Sequence, residues 1–229
     1  MRPEIIVRRE EDIVWDFNGK PSFRIGWPNS CWSREIDPTP AYAHDFALVE
    51  QELFRCWNTF PLFQAPKLFL LHRETIERTN GYMQMDYDYD SNDGKGAYVL
   101  PTIVLIGKRI PLHPAMTRYL VSHEYGHIAE VDAAKSIGML RDNQTEEFRQ
   151  WYTKQRGITE VAKYYGPGQW HKAINEVIAN DFRVHVMNRE SEFWPHEVER
   201  NNQFAKDFWS ARVIEKQEQI AKQATATKV

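Results

Sequence analysis

Short apolar or alternating stretches characterise the start of the chain and predict β-strands. Ile5–Val7, Ile13–Phe17 and Phe23–Ile25 have this pattern, and Asn18-Gly19 between the second and third is a two-residue hairpin signal. The prolines at positions 28, 38 and 40 then indicate a loop. Residues 1–40 are therefore expected to form an N-terminal hairpin and loop that embellish the main domain.

A helix and three strands are predicted next. Apolar residues at helical spacing favour a helix over Ala41–Phe60. The strands are an apolar run at Lys67–His72, an alternating run at Gly81–Tyr89 and a run rich in β-branched residues at Ala97–Ile106. The acidic segment Asp86–Gly96 does not fit the calcium-loop template. It is interpreted as a solvated hairpin loop, and selection of basic substrates is the alternative.

Helical patterns dominate the second half of the chain. The predicted helices are Met116–Ile137, a segment from a capping box at Asn143 to Arg156, Trp170–Met187, and a charged tail from Ser191 to Lys222. Strands followed by helices predict the α+β class, with one mixed or antiparallel sheet packed on helices. The expected organisation is a single domain over residues 1–229, in which residues 191–229 form a C-terminal helical extension.

Composition narrows the class of protein. The chain has 229 residues, of which 42% are hydrophobic and 13% aromatic, and this excludes extensive disorder. Two cysteines exclude a disulfide scaffold, and the longest apolar run, near Val99–Gly107, is far short of the roughly 20 residues that cross a bilayer. The net charge of −3 predicts no nucleic-acid partner, and no membrane partner is expected. The charged N-terminus, which does not fit a signal peptide, and the two free cysteines predict a cytoplasmic protein.

The motif that carries chemistry is His123–His127, which reads HEYGH and lies inside a predicted helix. Positions i and i+4 share a helix face, so both imidazoles can bind one metal ion. Zinc accepts histidine nitrogen readily and lowers the pKa of a bound water. Glu124 is expected to act as the general base, taking the proton of that water and delivering it to the leaving amine. A surface helix with two solvated histidines is the alternative.

Gly126 inside this motif is unfavourable for a helix. Glycine in a helix interior costs about 1 kcal/mol relative to alanine. A helix that contains it is expected to need the close approach of another backbone or of the substrate. Gly126 is therefore predicted to mark a close contact beside the motif.

The third metal ligand must come from elsewhere in the chain. Glu130 and Ala133 stand where the metzincin pattern has glycine and histidine, which excludes that class. Glu176 falls beside an apolar stripe on a predicted helix, where a carboxylate without a partner is unfavourable. It is the preferred ligand, and a surface position for it is the alternative. The rival ligands are His171, His185 and Asp132. Asn180 could orient a histidine ligand.

These two helices together resemble those of gluzincin metallopeptidases. Asn175-Glu176 with Ala179-Asn180 is similar to the NExxSD helix of thermolysin-like peptidases. Glu176 to Phe182 also resembles the ExxANxF helix of ImmA/IrrE-type peptidases, and with Arg183 the ExxAxxFR helix of the anthrax lethal factor peptidase domain. The resemblance covers no more than a third of the chain. It implies a zincin-like fold, zinc held by His123, His127 and Glu176, and Glu124 as the base.

Two further parts of the site are expected. Tyr165 is the predicted oxyanion stabiliser, because similar enzymes place a tyrosine before the helix that carries the glutamate ligand. The other candidates are Tyr164, His171 and His185, and simple packing of all four is the alternative. A substrate peptide is expected to pair with an edge strand that precedes the motif helix. Thr102–Ile106 is the candidate strand, and a central position for it is the alternative.

The sequence thus favours a zinc-dependent endopeptidase that hydrolyses peptide bonds with a metal-activated water. Its partner would be a protein or peptide substrate. One alternative is a regulatory zincin-fold binding protein with little turnover, acting in stress or phage repressor regulation. A second is a noncatalytic structural protein. Nothing in the pattern indicates an oligomeric state.

Overall fold

The structure, a computed structural model, describes residues 2–26, 32–76, 81–88, 97–141, 144–158, 173–189 and 202–226. Contacts divide the chain into two compact units, Met1–Phe54 with Gln64–Glu124 and Arg55–Phe63 with Tyr125–Val229. The described strands all belong to the first unit, and most of the helical residues belong to the second. This confirms the predicted α+β class. The assignment of the whole chain to a single domain stays a prediction.

The described elements include every predicted strand and helix region, together with two strands, β4 and β6, that were not predicted. The strands are β1 (Glu4–Arg8), β2 (Ile13–Trp15), β3 (Pro21–Ile25), β4 (Trp32–Pro40), β5 (Lys67–Leu71), β6 (Arg73–Thr75), β7 (Gly81–Asp88) and β8 (Ala97–Leu105). The helices are α1 (Phe46–Thr59), α2 (Pro114–Ser136), α3 (Glu146–Arg156), α4 (Ile174–His185) and α5 (Gln203–Ala226). No helix in the described part of the chain has the length and apolar character needed to cross a membrane.

Two four-stranded sheets occur among the described strands, where one was expected. The first is mixed, with the order β1-β5-β8-β7; β1, β5 and β8 run parallel and β7 is antiparallel to β8. The second is antiparallel, with the order β2-β3-β4-β6. The single-sheet prediction was wrong because the N-terminal residues supply strands to both sheets.

The described residues before position 40 therefore supply strands to both sheets. The predicted hairpin is present as β2 and β3, but its loop spans Phe17–Gly19, with a bond from the Asp16 amide to the Lys20 carbonyl. Gly19 has φ +72°, the left-handed conformation that a three-residue loop requires. The loop expected at Pro38 and Pro40 is strand β4. Its proline-containing half pairs irregularly with β6, where a missing amide hydrogen is tolerated.

The strand proposed to bind substrate lies inside the sheet. β8 contains Thr102–Leu105 and pairs with β5 on one side and β7 on the other. Its edge assignment was wrong, because the antiparallel strand β7 precedes β8 in sequence and covers it. Among the described strands β7 ends the sheet.

Side chains from the two sheets share one apolar core in the first unit. It is built from fully buried residues of both sheets: Phe23, Ile25, Ile36, Phe69, Leu71, Val104 and Ile106. Tyr82 of β7 packs against this core from the sheet edge. The core therefore fixes which face of β7 points inward.

A buried histidine in the same unit makes stability depend on pH. His44 is 3% exposed, and its Nδ1 shares a 2.8 Å hydrogen bond with the Thr117 hydroxyl. Burial lowers the pKa of His44 from 6.5 to about 4. Between these values the unfolded chain binds a proton that the folded chain does not, so stability falls as pH falls from about 6.5 to about 4.

His44→Gln should remove this acid sensitivity. A pKa depressed to about 4 corresponds to a loss of about 3 kcal/mol across that window, and the variant lacks the titrating group. Urea unfolding at a series of pH values measures the slope. The exposed His113→Gln variant is the control and should keep the wild-type slope. Identical slopes for wild type and His44→Gln would contradict the assignment.

The second unit has an aromatic core. Phe60 and Phe182 stack edge-to-face on each other and on Trp209, with centroid distances of 5.2–5.9 Å. Tyr125 of α2 lies against Phe182 and donates a 2.7 Å hydrogen bond to the Phe60 carbonyl. α3 begins at Glu146 after Thr145 and ends at Arg156, and Gly157, which follows it, has φ +75°. The predicted cap Asn143 lies outside the described residues.

The aromatic contacts of Tyr125 and Phe182 hold α2 and α4 side by side.

Candidate metal site

The HEYGH segment lies in the middle of α2, as predicted. His123 and His127 are one turn apart and are 4% and 8% exposed. The alternative of two solvated histidines on a surface helix is therefore wrong. The helix was predicted in the right place, and most of the residues of α2 are buried.

Gly126 allows two helix backbones to touch beside the motif. A Cβ at this position would lie 2.7 Å from the Ala179 carbonyl oxygen and 2.9 Å from the Ala179 Cα, closer than real Cβ atoms approach. The prediction that Gly126 admits another backbone is confirmed, and that backbone belongs to α4. The helix pays about 1 kcal/mol in propensity for this contact.

The close crossing brings Glu176 to the motif. Glu176 precedes Ala179 by three residues on α4, so both lie near the same helix face. Its Oε1 lies 3.6 Å from His127 Nε2. At 7% exposure the side chain is buried, so the alternative of a surface acid is wrong.

His123, His127 and Glu176 form one buried cluster. Each side chain offers a ligand atom, and the three atoms lie within 4.8 Å of one another. Two imidazole nitrogens and a carboxylate oxygen are a donor set that suits zinc and related divalent metals. In the part of the chain that the structure describes, no other His, Cys, Asp or Glu joins this cluster. The cluster could hold a metal ion.

The rival ligands lie elsewhere or outside the described residues. Asp132 accepts a 2.8 Å hydrogen bond from the Phe63 amide and a 2.5 Å ion pair from Lys216, which accounts for its burial. His185 is at the end of α4, where burial lowers its pKa. His171 lies outside the described residues, as do Tyr164 and the predicted oxyanion residue Tyr165.

Asn180 is fully buried one turn after Glu176. Its Oδ1 accepts a 3.3 Å hydrogen bond from Arg183 Nε, and Arg183 is itself buried. The alternative of a helix-surface asparagine is therefore wrong. Orientation of a histidine by Asn180 stays a prediction.

Two neighbours of the ligands were not predicted. The Tyr119 ring stacks on the His123 imidazole, with centroids 5.6 Å apart and planes 8° from parallel. Asn175 Nδ2 donates a 2.9 Å hydrogen bond to Glu176 Oε1, the atom that faces His127. The i, i+4 spacing of Tyr119 and His123 was a usable signal. The Asn175 contact joins adjacent residues, and helix periodicity does not predict it.

Glu124 lies between the histidines in sequence and is 5% exposed. The first residue of β7 is close to it: a Cβ at Gly81 would be 3.4 Å from Glu124 Oε1. The carboxylate is thus held beside the strand that ends the sheet. Gly81 was not predicted as part of the site, because nothing in the sequence relates position 81 to position 124.

Comparison of the sequence with protein-family models finds no match. Comparisons with curated proteins and with solved structures also find none. The function must therefore be argued from the geometry of the cluster and the chemistry of its side chains.

Proposed function

We propose that this protein is a zinc-dependent endopeptidase of gluzincin type, with a zincin-like arrangement of sheet, motif helix and glutamate helix. Its substrates would be proteins or peptides in the cytoplasm. The observation that carries the proposal is the burial of two histidines and one glutamate with their ligand atoms within 4.8 Å of one another. Side chains that titrate or carry charge are rarely buried together without a partner of opposite charge.

One separation within the cluster supports the choice of zinc. Ligand atoms at zinc-to-ligand distances of 2.0–2.2 Å and tetrahedral angles are about 3.4 Å apart. The distance between His127 Nε2 and Glu176 Oε1 is 3.6 Å. Asn175 and Tyr119 hold Glu176 and His123 respectively, as outer partners of metal ligands commonly do. The His127–Glu176 pair thus has nearly the separation that zinc needs, and the three ligand atoms together lie within 4.8 Å of one another.

Zinc, when bound, lowers the pKa of a water molecule and so supplies a nucleophile at neutral pH. Glu124 follows the ligand His123 directly and is not a member of the cluster. Its carboxylate would accept a proton from that water and pass it to the leaving amine. Glu124 is thereby the proposed general base, and Tyr165 remains the proposed oxyanion stabiliser.

The substrate is proposed to pair with β7. This strand ends the sheet among the described strands, and its first residue lies beside Glu124. An extended peptide that adds to a sheet edge is held by main-chain hydrogen bonds, which is a common mode of peptide recognition. The proposal replaces the predicted strand Thr102–Ile106, which is internal.

Glu124→Gln should abolish hydrolysis while zinc content is unchanged. General acid–base catalysis contributes about 10²- to 10⁴-fold to the rate, and glutamine cannot accept the proton. Zinc per chain is measured by plasma emission spectrometry. New N-termini in a proteome-derived peptide library are measured by mass spectrometry.

Glu130→Gln is the matched control, since Glu130 is another buried acid of α2 and forms an ion pair with Arg149. This variant should keep cleaving. Zinc binding without cleavage by the wild type, together with a tight protein partner, would favour the regulatory alternative. Equal behaviour of wild type and Glu124→Gln, without zinc, would favour a structural protein.

A further inference from the structure

Gly81 is crowded by backbone at the start of β7. It pairs with Leu105 of β8, and a Cβ there would lie 2.9 Å from the Val104 carbonyl oxygen and 3.3 Å from Leu105 Cδ2. Gly81 is not among the glycines with positive φ. The position therefore requires glycine because of close packing, and its backbone conformation would suit any residue.

The position that a Cβ of Gly81 would take also lies near Glu124. The adjacent Tyr82 packs against the apolar core, with Arg34 4.5 Å from its ring centroid. Side chains alternate along a strand, so position 81 faces the opposite side, where Glu124 Oε1 lies 3.4 Å from the place of a Cβ. A Cβ there would make only an ordinary contact with the carboxylate, so the 2.9 Å clash with the Val104 carbonyl oxygen is what would displace β7 from its place beside Glu124.

We infer that Gly81 is a positioning residue that sets how closely a peptide paired with β7 passes the Glu124 carboxylate. The inference rests on the proposed function. A paired strand lies about 4.8 Å from β7, so any displacement of β7 is passed on to the peptide. Proton transfer needs a heavy-atom separation of about 2.6–3.2 Å. A shift of a few tenths of an ångström at β7 therefore affects the reaction more than it affects binding of zinc.

The experiment compares Gly81→Ala with Gly107→Ala. A Cβ at Gly107 would lie 3.0 Å from the Leu71 carbonyl oxygen and 3.1 Å from the Arg73 amide nitrogen. Gly107 is thus another glycine of the first unit that is crowded by backbone, and none of its three nearest atoms belongs to Glu124. It reports the effect of crowding alone.

Calorimetry with two hydroxamates on the zinc-loaded protein separates binding to the metal from pairing with β7. Acetohydroxamate needs only the metal, and a hydroxamate-tipped tripeptide must also pair with β7. Gly81→Ala should bind acetohydroxamate like the wild type and the tripeptide roughly tenfold more weakly, with a similar loss in kcat/KM for peptide substrates. Gly107→Ala should bind both probes like the wild type.

Equal affinity of Gly81→Ala and the wild type for the tripeptide probe would overturn the inference, and so would an equal loss for both probes. Failure of the wild type to bind zinc or either probe would overturn the proposed function, and the role of Gly81 with it. Should Gly81→Ala not fold, Gly81→Ala with Leu105→Ala removes the 3.3 Å contact and is compared with Leu105→Ala alone. Unchanged tripeptide affinity in that pair would equally overturn the inference.

Discussion

Glu176→Gln is expected to weaken zinc binding at least about 100-fold, because loss of outer partners alone costs 10- to 100-fold at metal sites. Glutamine has the same shape as glutamate, and its amide oxygen can still accept the Asn175 hydrogen bond. The folding stability of the metal-free protein should therefore change little. Competition with a chromophoric chelator measures the zinc affinity, and urea unfolding in the presence of a chelator measures the stability.

Asp181→Asn is the matched control on the same helix. Asp181 is fully buried and accepts hydrogen bonds from Arg156 at 2.6 and 3.0 Å and from the Tyr152 hydroxyl at 2.9 Å. Loss of its charge leaves Arg156 without its ion-pair partner and should reduce stability by about 3 kcal/mol, while zinc affinity is unchanged. The two variants thus separate loss of a ligand from loss of a structural acid.

Wild-type zinc affinity in Glu176→Gln would contradict the assignment of the third ligand. If His127→Ala still lost zinc, the site would be real and the remaining candidate would be His171, which lies outside the described residues. If His127→Ala also kept zinc, the cluster would not be the metal site. Each result identifies a different error.

The sequence was sufficient to predict the motif helix and its partner. Helix periodicity depends on neighbours three and four residues away, so the positions of His123, His127 and Glu176 on helix faces could be worked out locally. Gly126 was informative for the same reason, because its unfavourable propensity needed a cause. The contact with Ala179 is that cause.

The arrangement of the strands could not be predicted in this way. Whether a strand is internal or at an edge depends on pairing between distant segments. The sequence of β8 is therefore compatible with either position. The prolines of β4 were misinterpreted because their effect depends on which neighbour each residue pairs with. The proximity of Gly81 to Glu124 was not predicted either, because it also depends on pairing between distant segments and 43 residues separate the two (124 − 81).

A common physical pattern links Gly81 and Gly126. Each stands where a backbone comes closer than a side chain allows, Gly81 against the Val104 carbonyl oxygen of β8 and Gly126 against α4. Gly81 lies beside Glu124, the proposed base, and Gly126 lies against the helix that carries Glu176, the proposed third ligand. In both places a missing side chain lets two backbones approach beside a residue of the proposed site.

Gly126→Ala tests the second of these contacts. The added methyl group meets the Ala179 carbonyl oxygen and Cα at 2.7 and 2.9 Å, so α2 and α4 must move apart. Overpacking costs about 1–3 kcal/mol, and the gain in helix propensity offsets about 1 kcal/mol of it. The net loss of stability should therefore be modest. The loss of zinc affinity should be larger, at least about tenfold, because Glu176 moves away from His127.

The identity of the clashing atoms supplies a stringent control. All three nearest atoms belong to the Ala179 backbone, so Ala179→Gly removes none of them. The double variant Gly126→Ala with Ala179→Gly should bind zinc as weakly as Gly126→Ala alone, in the same chelator competition. Recovery of zinc binding in the double variant would mean that side chains set the crossing of α2 and α4. In that case glycine at 126 would not be what brings Glu176 within reach of His127.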